Sequence, residues 1–216
     1  MTQTATARRT RCEKCAGLLP LMARADARFC GATCRKRASR ARITAERARL
    51  EAERAAQVPA ELVSKPRWVR YAVCNGRKIP LRMDARFAAV DNPSTWADYP
   101  AVAGSSVGDG MGFVLTAGDG IVVIDLDHAV EQGRVLPWAQ AIVDRLPATY
   151  MERGHSGTGL HLWFRGAVPH GRRIRRGALA VEVYSDRRYM IVGDRVSGTP
   201  LELAELPDAA GFIASL

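Results

Sequence analysis

The sequence lacks a hydrophobic run of the ~18 or more residues that a membrane-spanning helix needs. Its first residues, MTQTATARRTRCEKC, also lack the apolar core of a secretion signal. Cysteine is nearly absent after residue 34, where only Cys74 remains. These absences predict a cytoplasmic protein that does not associate with a membrane.

Acidic residues are scarce in the first 60 positions, where 5 Asp and Glu stand against 14 Lys and Arg. The remaining residues, 61–216, are nearly balanced, with 17 acidic and 18 basic side chains, so most of the net charge of +10 lies in the first segment. Such asymmetry indicates an anionic partner for that segment, most often a nucleic acid. The alternative is a basic tail that keeps the protein in solution.

The four cysteines of the first segment fall into two close pairs, Cys12-x2-Cys15 and Cys30-x3-Cys34. Two short pairs separated by the 14 residues 16–29 are typical of a four-cysteine zinc site. Bound Zn²⁺ can fold a segment that is too short to have a hydrophobic core. The alternative, a pair of disulfides, is disfavoured in the reducing cytoplasm.

Glycine and proline are absent from residues 35–57, which consist mostly of Ala, Arg and Glu and therefore favour a helix. Positive charges at the start of a helix oppose its macrodipole, so helix stability does not explain the basic residues there. Contact with phosphate groups explains them, and so does a solvated, charged linker. The candidate phosphate ligands are Arg35, Lys36, Arg37 and Arg40.

These patterns divide the chain into four segments. We predict a disordered tail at 1–10, a four-cysteine zinc module at 11–34, a basic linker helix at 35–60 and a second domain at 61–216. In the second domain, strand and helix patterns do not follow the strict order of βαβ units. This predicts an α+β fold around a mixed or largely antiparallel sheet.

An apolar stretch in the second domain runs into two acids, GIVVIDLDHAV at 120–130. Alternate residues of a strand face the same side, so Asp125 and Asp127 share a face. Two carboxylates at this spacing repel each other, and burial makes their charges more costly. A divalent cation such as Mg²⁺, which prefers oxygen ligands, would compensate them. The alternative is that the strand ends at Asp125 and DLDH forms a solvated turn.

A loop of small residues, HSGTG at 155–159, precedes the strand LHLWF and its histidine. Loops of this kind let backbone N–H groups approach a phosphate closely, although ordinary hairpins use the same residues. A single strand histidine is also common as a structural residue. The candidate nucleotide ligands here are Ser156, Gly157, Thr158, Gly159 and His161.

A basic run and a third acid follow, in HGRRIRRG and ALAVEVYSDRRYM. Arginine forks suit phosphate oxygens, but such a run is also compatible with a solvated loop. Glu182 lies in an alternating apolar strand, where it either joins the other acids or faces water from a sheet edge. The basic candidates are Arg172, Arg173, Arg175 and Arg176.

Taken in order, the two-acid strand, the loop with its histidine and the later acid resemble the three motifs of bifunctional DNA primase–polymerases. This family of phages and mobile elements belongs to the archaeo-eukaryotic primase superfamily. Residues 65–200 are similar to its catalytic domain, and Lys65 and Trp96 occupy places where the family favours a lysine and a tryptophan. Many relatives have a Thr-Gly pair after the third motif, where this chain has IVGDRV.

The resemblance implies that 61–216 is the catalytic domain of a DNA primase or polymerase. Asp125, Asp127 and Glu182 would bind two Mg²⁺ or Mn²⁺ ions and, with His161, form the catalytic set. The residues that would bind an incoming NTP or dNTP are Ser156, Gly157, Thr158, Gly159, His161, Arg172, Arg173 and Lys65.

The resemblance also implies partners. The zinc module, its helix, Arg175 and Arg176 would hold a single-stranded DNA template, and a separate replicative helicase would unwind it. Two other functions stay open. One is a catalytically inactive replication initiator or DNA-binding adaptor of a mobile element, and the other is a metal-dependent nuclease.

Overall fold

The computed structural model describes residues 10–216, without the side chains of 47, 48, 51, 52 and 54. The predicted disordered tail lies outside the described residues except for Thr10. The chain divides into two compact units, the first ending at Ala52 and the second comprising Glu53–Leu216. This division falls inside the predicted linker helix rather than at its end.

The helices of the described residues are α1 Ala32–Ala55, α2 Ala60–Val63, α3 Tyr99–Ala103, α4 Pro137–Val143 and α5 Ala209–Ala214. α1 begins and ends earlier than the predicted helix at 35–60. Its first turn forms where the Arg35 N–H donates to the Gly31 carbonyl at 3.1 Å. It stops short of Pro59, since proline lacks the N–H of a helix interior and restricts the residue before it.

None of the helices within residues 10–216 combines the length and the apolar character that crossing a bilayer requires.

Thirteen strands lie in the described part of the second unit. In chain order they are β1 Trp68–Cys74, β2 Arg77–Leu81, β3 Gly110–Leu115, β4 Ile121–Leu126, β5 Val130–Glu131, β6 Arg134–Val135, β7 Met151–Arg153, β8 Leu160–Arg165, β9 Arg172–Arg176, β10 Leu179–Tyr184, β11 Arg188–Ile191, β12 Asp194–Arg195 and β13 Ala204–Glu205.

The strands form two main sheets. The smaller one has the order β11–β3–β1–β2 and is antiparallel throughout. The larger one has the order β12–β7–β8–β4–β10–β9, and β13 pairs with β8 in parallel. β5 and β6 form a separate pair. The predicted α+β fold with a mixed, mostly antiparallel sheet is confirmed.

β4 is buried at the centre of the larger sheet because apolar layers cover both of its faces. Val122, Ile124 and Leu126 pack in a cluster with residues of α4 and α5. Ile121 and Val123, on the opposite face, pack in a cluster with residues of the smaller sheet. Asp125 follows the second pair in the alternation, so it lies on the face that is turned towards the smaller sheet.

Candidate active site and cysteine cluster

Asp125 is paired in register with a predicted site residue on each side. It lies opposite His161 of β8 and opposite Glu182 of β10. Directly opposed residues of antiparallel strands have Cβ atoms about 4.5–5.5 Å apart. The sheet therefore brings together three candidates that are up to 57 positions apart in the sequence.

The same row continues across the neighbouring strands. Glu152 of β7 lies opposite His161, and Arg173 of β9 lies opposite Glu182. Five adjacent strands thus each contribute one residue to a row on one face of the sheet, in the order Glu152, His161, Asp125, Glu182 and Arg173. Four of its five members were candidates from the sequence or its resemblance, and Glu152 was not.

Asp127 lies one step beyond the end of β4. Its N–H donates to the Ala180 carbonyl at 2.9 Å, so pairing with β10 continues to this residue. The carboxylate is about two thirds buried, and its Oδ2 accepts a hydrogen bond from Nη2 of Arg175 at 2.9 Å. The chain then turns at His128, whose φ is 55°. The strand thus ends at Leu126, one residue later than the solvated-turn alternative assumed, and Asp127 and His128 form the turn.

Glu182 is 5% exposed on the interior strand β10, so it is not an edge acid facing water. Its Oε1 lies 3.1 Å from Nε of Arg173 and 3.4 Å from Nη2 of Arg175. Its Oε2 accepts from the Tyr184 hydroxyl at 2.8 Å and lies 3.5 Å from Nη2 of Arg188. Three guanidinium groups therefore compensate the acids.

The alternation of β9 separates its four arginines. Arg173 and Arg175 face the acids, whereas Arg172 and Arg176 lie on the face of the buried Ile174. Arg176 donates from Nη1 to the Leu216 carbonyl at 3.0 Å. The sequence prediction assigned Arg172 and Arg173 to the nucleotide and Arg175 and Arg176 to the template. The faces of the strand instead group Arg173 with Arg175.

His161 is held between two acids. Its Nδ1 donates to Oε1 of Glu152 at 3.1 Å, and its Nε2 lies 3.6 Å from Oδ1 of Asp125. Burial lowers the pKa of His161, but the hydrogen bond to Glu152 and the charge of Asp125 outweigh it and raise the pKa above its ordinary value. Burial, reinforced by the charges of Asp127 and Glu182, raises the pKa of Asp125.

The small-residue loop borders the row. Gly154 N–H donates to Gly159 O at 3.0 Å, which closes a hairpin between β7 and β8. Gly157 has a φ of +73°, a conformation that glycine adopts without strain. A Cβ added at Gly159 would lie 3.9 Å from Oδ1 of Asp125. Ser156, Gly157 and Thr158 are exposed, so the loop is both an ordinary hairpin and an accessible rim next to Asp125.

Lys65 and Trp96 lie apart from the row. Lys65 Nζ is 3.5 Å from Oδ1 of Asp119, a carboxylate that also pairs with Arg67. Asp119 lies two residues before β4, and the four steps of ~3.3 Å from Ile121 to Asp125 span about 13 Å of strand. Trp96 donates from Nε1 to the Ala89 carbonyl at 2.7 Å and has a structural role.

Four further residues near the row were not predicted from the sequence. Lys78 of β2 is close enough for its charge to lower the pKa values of both Asp125 and His161. Tyr184 and Arg188 contact Glu182, and Glu152 contacts His161. Of these four, only Glu152 could have been found from the sequence, because the 154–159 hairpin sets the pairing of β7 with β8. The others depend on how the two sheets meet.

A second group of ligands lies in the first unit. Within residues 10–216, the four cysteines are the one group of at least three His, Cys, Asp or Glu whose ligand atoms all lie within 4.8 Å of one another. Cys15 Sγ lies 3.6 Å from Cys30 Sγ, which lies 3.5 Å from Cys34 Sγ. A tetrahedral zinc–thiolate site places its sulfurs about 3.8 Å apart. These four cysteines, hereafter the cysteine cluster, could hold a metal ion.

The backbone around Cys12 favours a thiolate at that position, whereas hydrogen bonds with the other thiols raise the pKa of Cys30 to about 12. Burial raises the pKa of the Cys12 thiol, but backbone N–H groups of Cys30, Lys14 and Cys15 together lower it to about 6. Thiolates are the form that binds metals. The predicted phosphate ligands follow Cys34 in α1, and all of them are exposed: Arg35, Lys36, Arg37 and Arg40.

Comparisons with known proteins agree with the resemblance of the motifs. Residues 51–209 match the family described as bifunctional DNA primase/polymerase, N-terminal. The DNA primase-polymerase of Nitratiruptor phage NrS-1 is 31% identical over 150 residues, which make up 65% of this chain and 21% of the phage protein. The chain thus spans about a fifth of the length of that curated relative. It belongs to the bifunctional DNA primase/polymerase family.

Proposed function

We propose that this chain carries the nucleotidyl-transfer site of a DNA primase or polymerase that makes primers or extends strands on single-stranded DNA. One observation carries the proposal. Asp125 lies in register between His161 and Glu182, with Asp127 on the same face. This arrangement supports a site of three carboxylates with His161 as a hydrogen-bond donor and the small-residue loop as an accessible rim.

The carboxylates suit the metals that the proposal needs. Asp125, Asp127 and Glu182 offer the hard oxygen ligands that Mg²⁺ and Mn²⁺ prefer. The guanidinium group of Arg175 lies between Asp127 and Glu182 and contacts both. This contact supports the proposal that the two carboxylates attract a cation. Two bound ions would activate a 3′-hydroxyl and stabilise the departing pyrophosphate.

The residues of the chain would position the nucleotide. The guanidinium groups of Arg173, Arg175 and Arg188 would release the carboxylates that they contact. They would then bind phosphate oxygens of the nucleotide, which suit arginine forks in the same way. His161 would donate from Nε2 to the triphosphate. Backbone amides of the 156–159 loop would contact it from the rim. Positioning and charge compensation supply most of the catalysis in reactions of this type.

The first unit would bind the template. The cysteine cluster would hold Zn²⁺, whose four thiolate ligands fix the start of α1. The exposed basic residues near the start of α1 would contact phosphates of single-stranded DNA, an interaction that weakens with salt.

The direct test is an extension assay. The chain is incubated with single-stranded DNA, with and without a primer, in Mn²⁺ and either ribo- or deoxynucleotides, and product length is measured. Growth of the product that is lost in Asp125→Asn supports the proposal. Binding without growth in any nucleotide set would instead indicate an adaptor, and shortening of the DNA would indicate a nuclease.

A further inference from the structure

Glu152 is a fully buried acid that none of the three motifs contains. Its Oε1 accepts hydrogen bonds from Nδ1 of His161 and Nε1 of Trp163, each at 3.1 Å. Its Oε2 accepts from the Tyr150 hydroxyl and the Gly193 N–H, also at 3.1 Å. Four accepted bonds are the full capacity of an ionised carboxylate.

This carboxylate has little freedom to move. Trp163 and Tyr150 are themselves fully buried, and both belong to the apolar cluster between the two sheets. Gly193 contributes a backbone donor, and a Cβ there would collide with the Arg153 carbonyl at 1.8 Å. Three rigid donors therefore fix the carboxylate, and the fourth position is left for His161.

The fixed acceptor determines how the imidazole of His161 is oriented. An ionised carboxylate has no hydrogen to donate. Glu152 can therefore only accept, and Nδ1 of His161 carries the hydrogen of their bond. The other ring nitrogen, Nε2, then lies 3.6 Å from Oδ1 of Asp125. A Cβ added at Gly154 would lie 3.3 Å from Nε2, so the hairpin leaves little room for a larger residue beside that edge of the ring.

We propose that Glu152 is a positioning residue of this site, which holds His161 with Nδ1 towards the core and Nε2 towards Asp125 and the incoming triphosphate. Its role in synthesis rests on the proposed function. It acts through His161, in the way that hydrogen-bonded acids orient histidine ligands in metalloenzymes. The orientation of the ring can be measured without any activity.

The first measurement is a ¹H–¹⁵N spectrum of the imidazole groups of the full chain. His161 is expected to show an Nδ1-bound hydrogen in slow exchange with water, assigned by its loss in His161→Gln. Glu152→Leu, which offers no acceptor, is expected to lose this signal, whereas in Glu152→Gln the amide oxygen can still accept from Nδ1. Tyr150→Phe removes one hydrogen bond to Glu152 without touching the ring and is expected to keep the signal.

The second measurement is steady-state extension by the same variants, with thermal unfolding alongside. Glu152→Gln is expected to lower kcat/KM for the nucleotide by about 10–100-fold, as for other residues that orient a ligand. Tyr150→Phe is expected to lower kcat/KM by less than about threefold, although its loss of thermal stability should be similar to that of Glu152→Gln.

Three results would overturn the inference. They are a wild-type His161 that carries its hydrogen on Nε2 alone, a Glu152→Leu chain that keeps the Nδ1 signal, and equal losses of kcat/KM in Glu152→Gln and Tyr150→Phe. The wild-type spectrum decides the matter even if Glu152→Leu does not fold. An inactive wild-type chain with the expected spectrum would count against the proposed function and leave the positioning by Glu152 supported.

Discussion

The cysteine cluster and the row of acids show two different ways of bringing candidate metal ligands together. The four cysteines lie within 23 consecutive residues, and their sulfurs are already within 4.8 Å of one another. The acids come from distant parts of the chain, and the sheet registers of β4, β8 and β10 align them. Local spacing can predict the first kind of site, whereas the second kind requires the fold.

The two sites also differ in how their charge is compensated. A thiolate cluster is neutralised by the ion that it binds, and its backbone already lowers the pKa of Cys12. The acids are compensated by arginines, with Arg173, Arg175 and Arg188 all within 3.5 Å of Glu182. We therefore expect the second unit to fold without metal and the first unit to depend on it.

The largest effect expected is on synthesis. Asp125→Asn keeps the shape of the side chain but removes a charge that two ions would need, which should lower the extension rate by at least about 10³-fold. Binding of single-stranded DNA, measured by fluorescence anisotropy, should change by less than about threefold. Equal losses of synthesis and binding would show that Asp125 is structural.

The next effect separates the two units. Elemental analysis of the wild-type chain is expected to find bound zinc, which Cys12→Ser should remove, and the variant should weaken single-stranded DNA binding by roughly tenfold or more. The unfolding free energy of the second unit should change by less than about 0.5 kcal/mol, because the two units are separate compact parts of the chain. A wild-type chain without bound zinc would refute the zinc assignment.

A smaller effect compares two arginines of β9. Arg175→Gln removes charge-assisted hydrogen bonds worth about 1.5–3 kcal/mol, so kcat/KM for the nucleotide should fall by about 10–100-fold. Arg176 lies on the other face, where its Nη1 donates to the Leu216 carbonyl, so Arg176→Gln should change kcat/KM by less than about twofold. Similar losses in both variants would mean that the strand contributes only a diffuse positive charge.

The smallest effect concerns pH. The pKa of His161 is raised in the folded chain, so its contribution to stability is complete below its ordinary pKa of 6.5 and is lost as pH rises through the folded value. Without divalent ions, urea unfolding should show a larger stability difference between wild type and His161→Gln at about pH 6 than at about pH 9. A difference that grows with pH would contradict this electrostatic description.

The sequence predicted those features that follow from local pattern. The spacing of Cys12 and Cys15, the alternation at Asp125 and Asp127 and the α+β class required no long-range information. Glu152 was within reach, since the hairpin that closes between Gly154 and Gly159 pairs position 152 with 161. A register drawn for that hairpin would have identified it.

Other features depended on how distant elements meet. The charge of Lys78, on a strand of the smaller sheet, reaches Asp125, and Arg188 reaches Glu182 although it belongs to the other sheet. Lys65 lay at a place that the family resemblance favours, yet it pairs with Asp119 near the opposite end of β4. Such contacts follow from sheet packing, which no short motif encodes.

The central claim is that the acids of β4 and β10 bind a pair of divalent ions beside a nucleoside triphosphate. The most direct measurement is anomalous diffraction from crystals grown with Mn²⁺ and a non-hydrolysable triphosphate. We predict two manganese peaks about 3.5–4 Å apart, with Asp125, Asp127 and Glu182 as ligands and Nε2 of His161 on a phosphate oxygen. A triphosphate bound with Glu182 still paired to its arginines and no manganese at the aspartates would contradict the account.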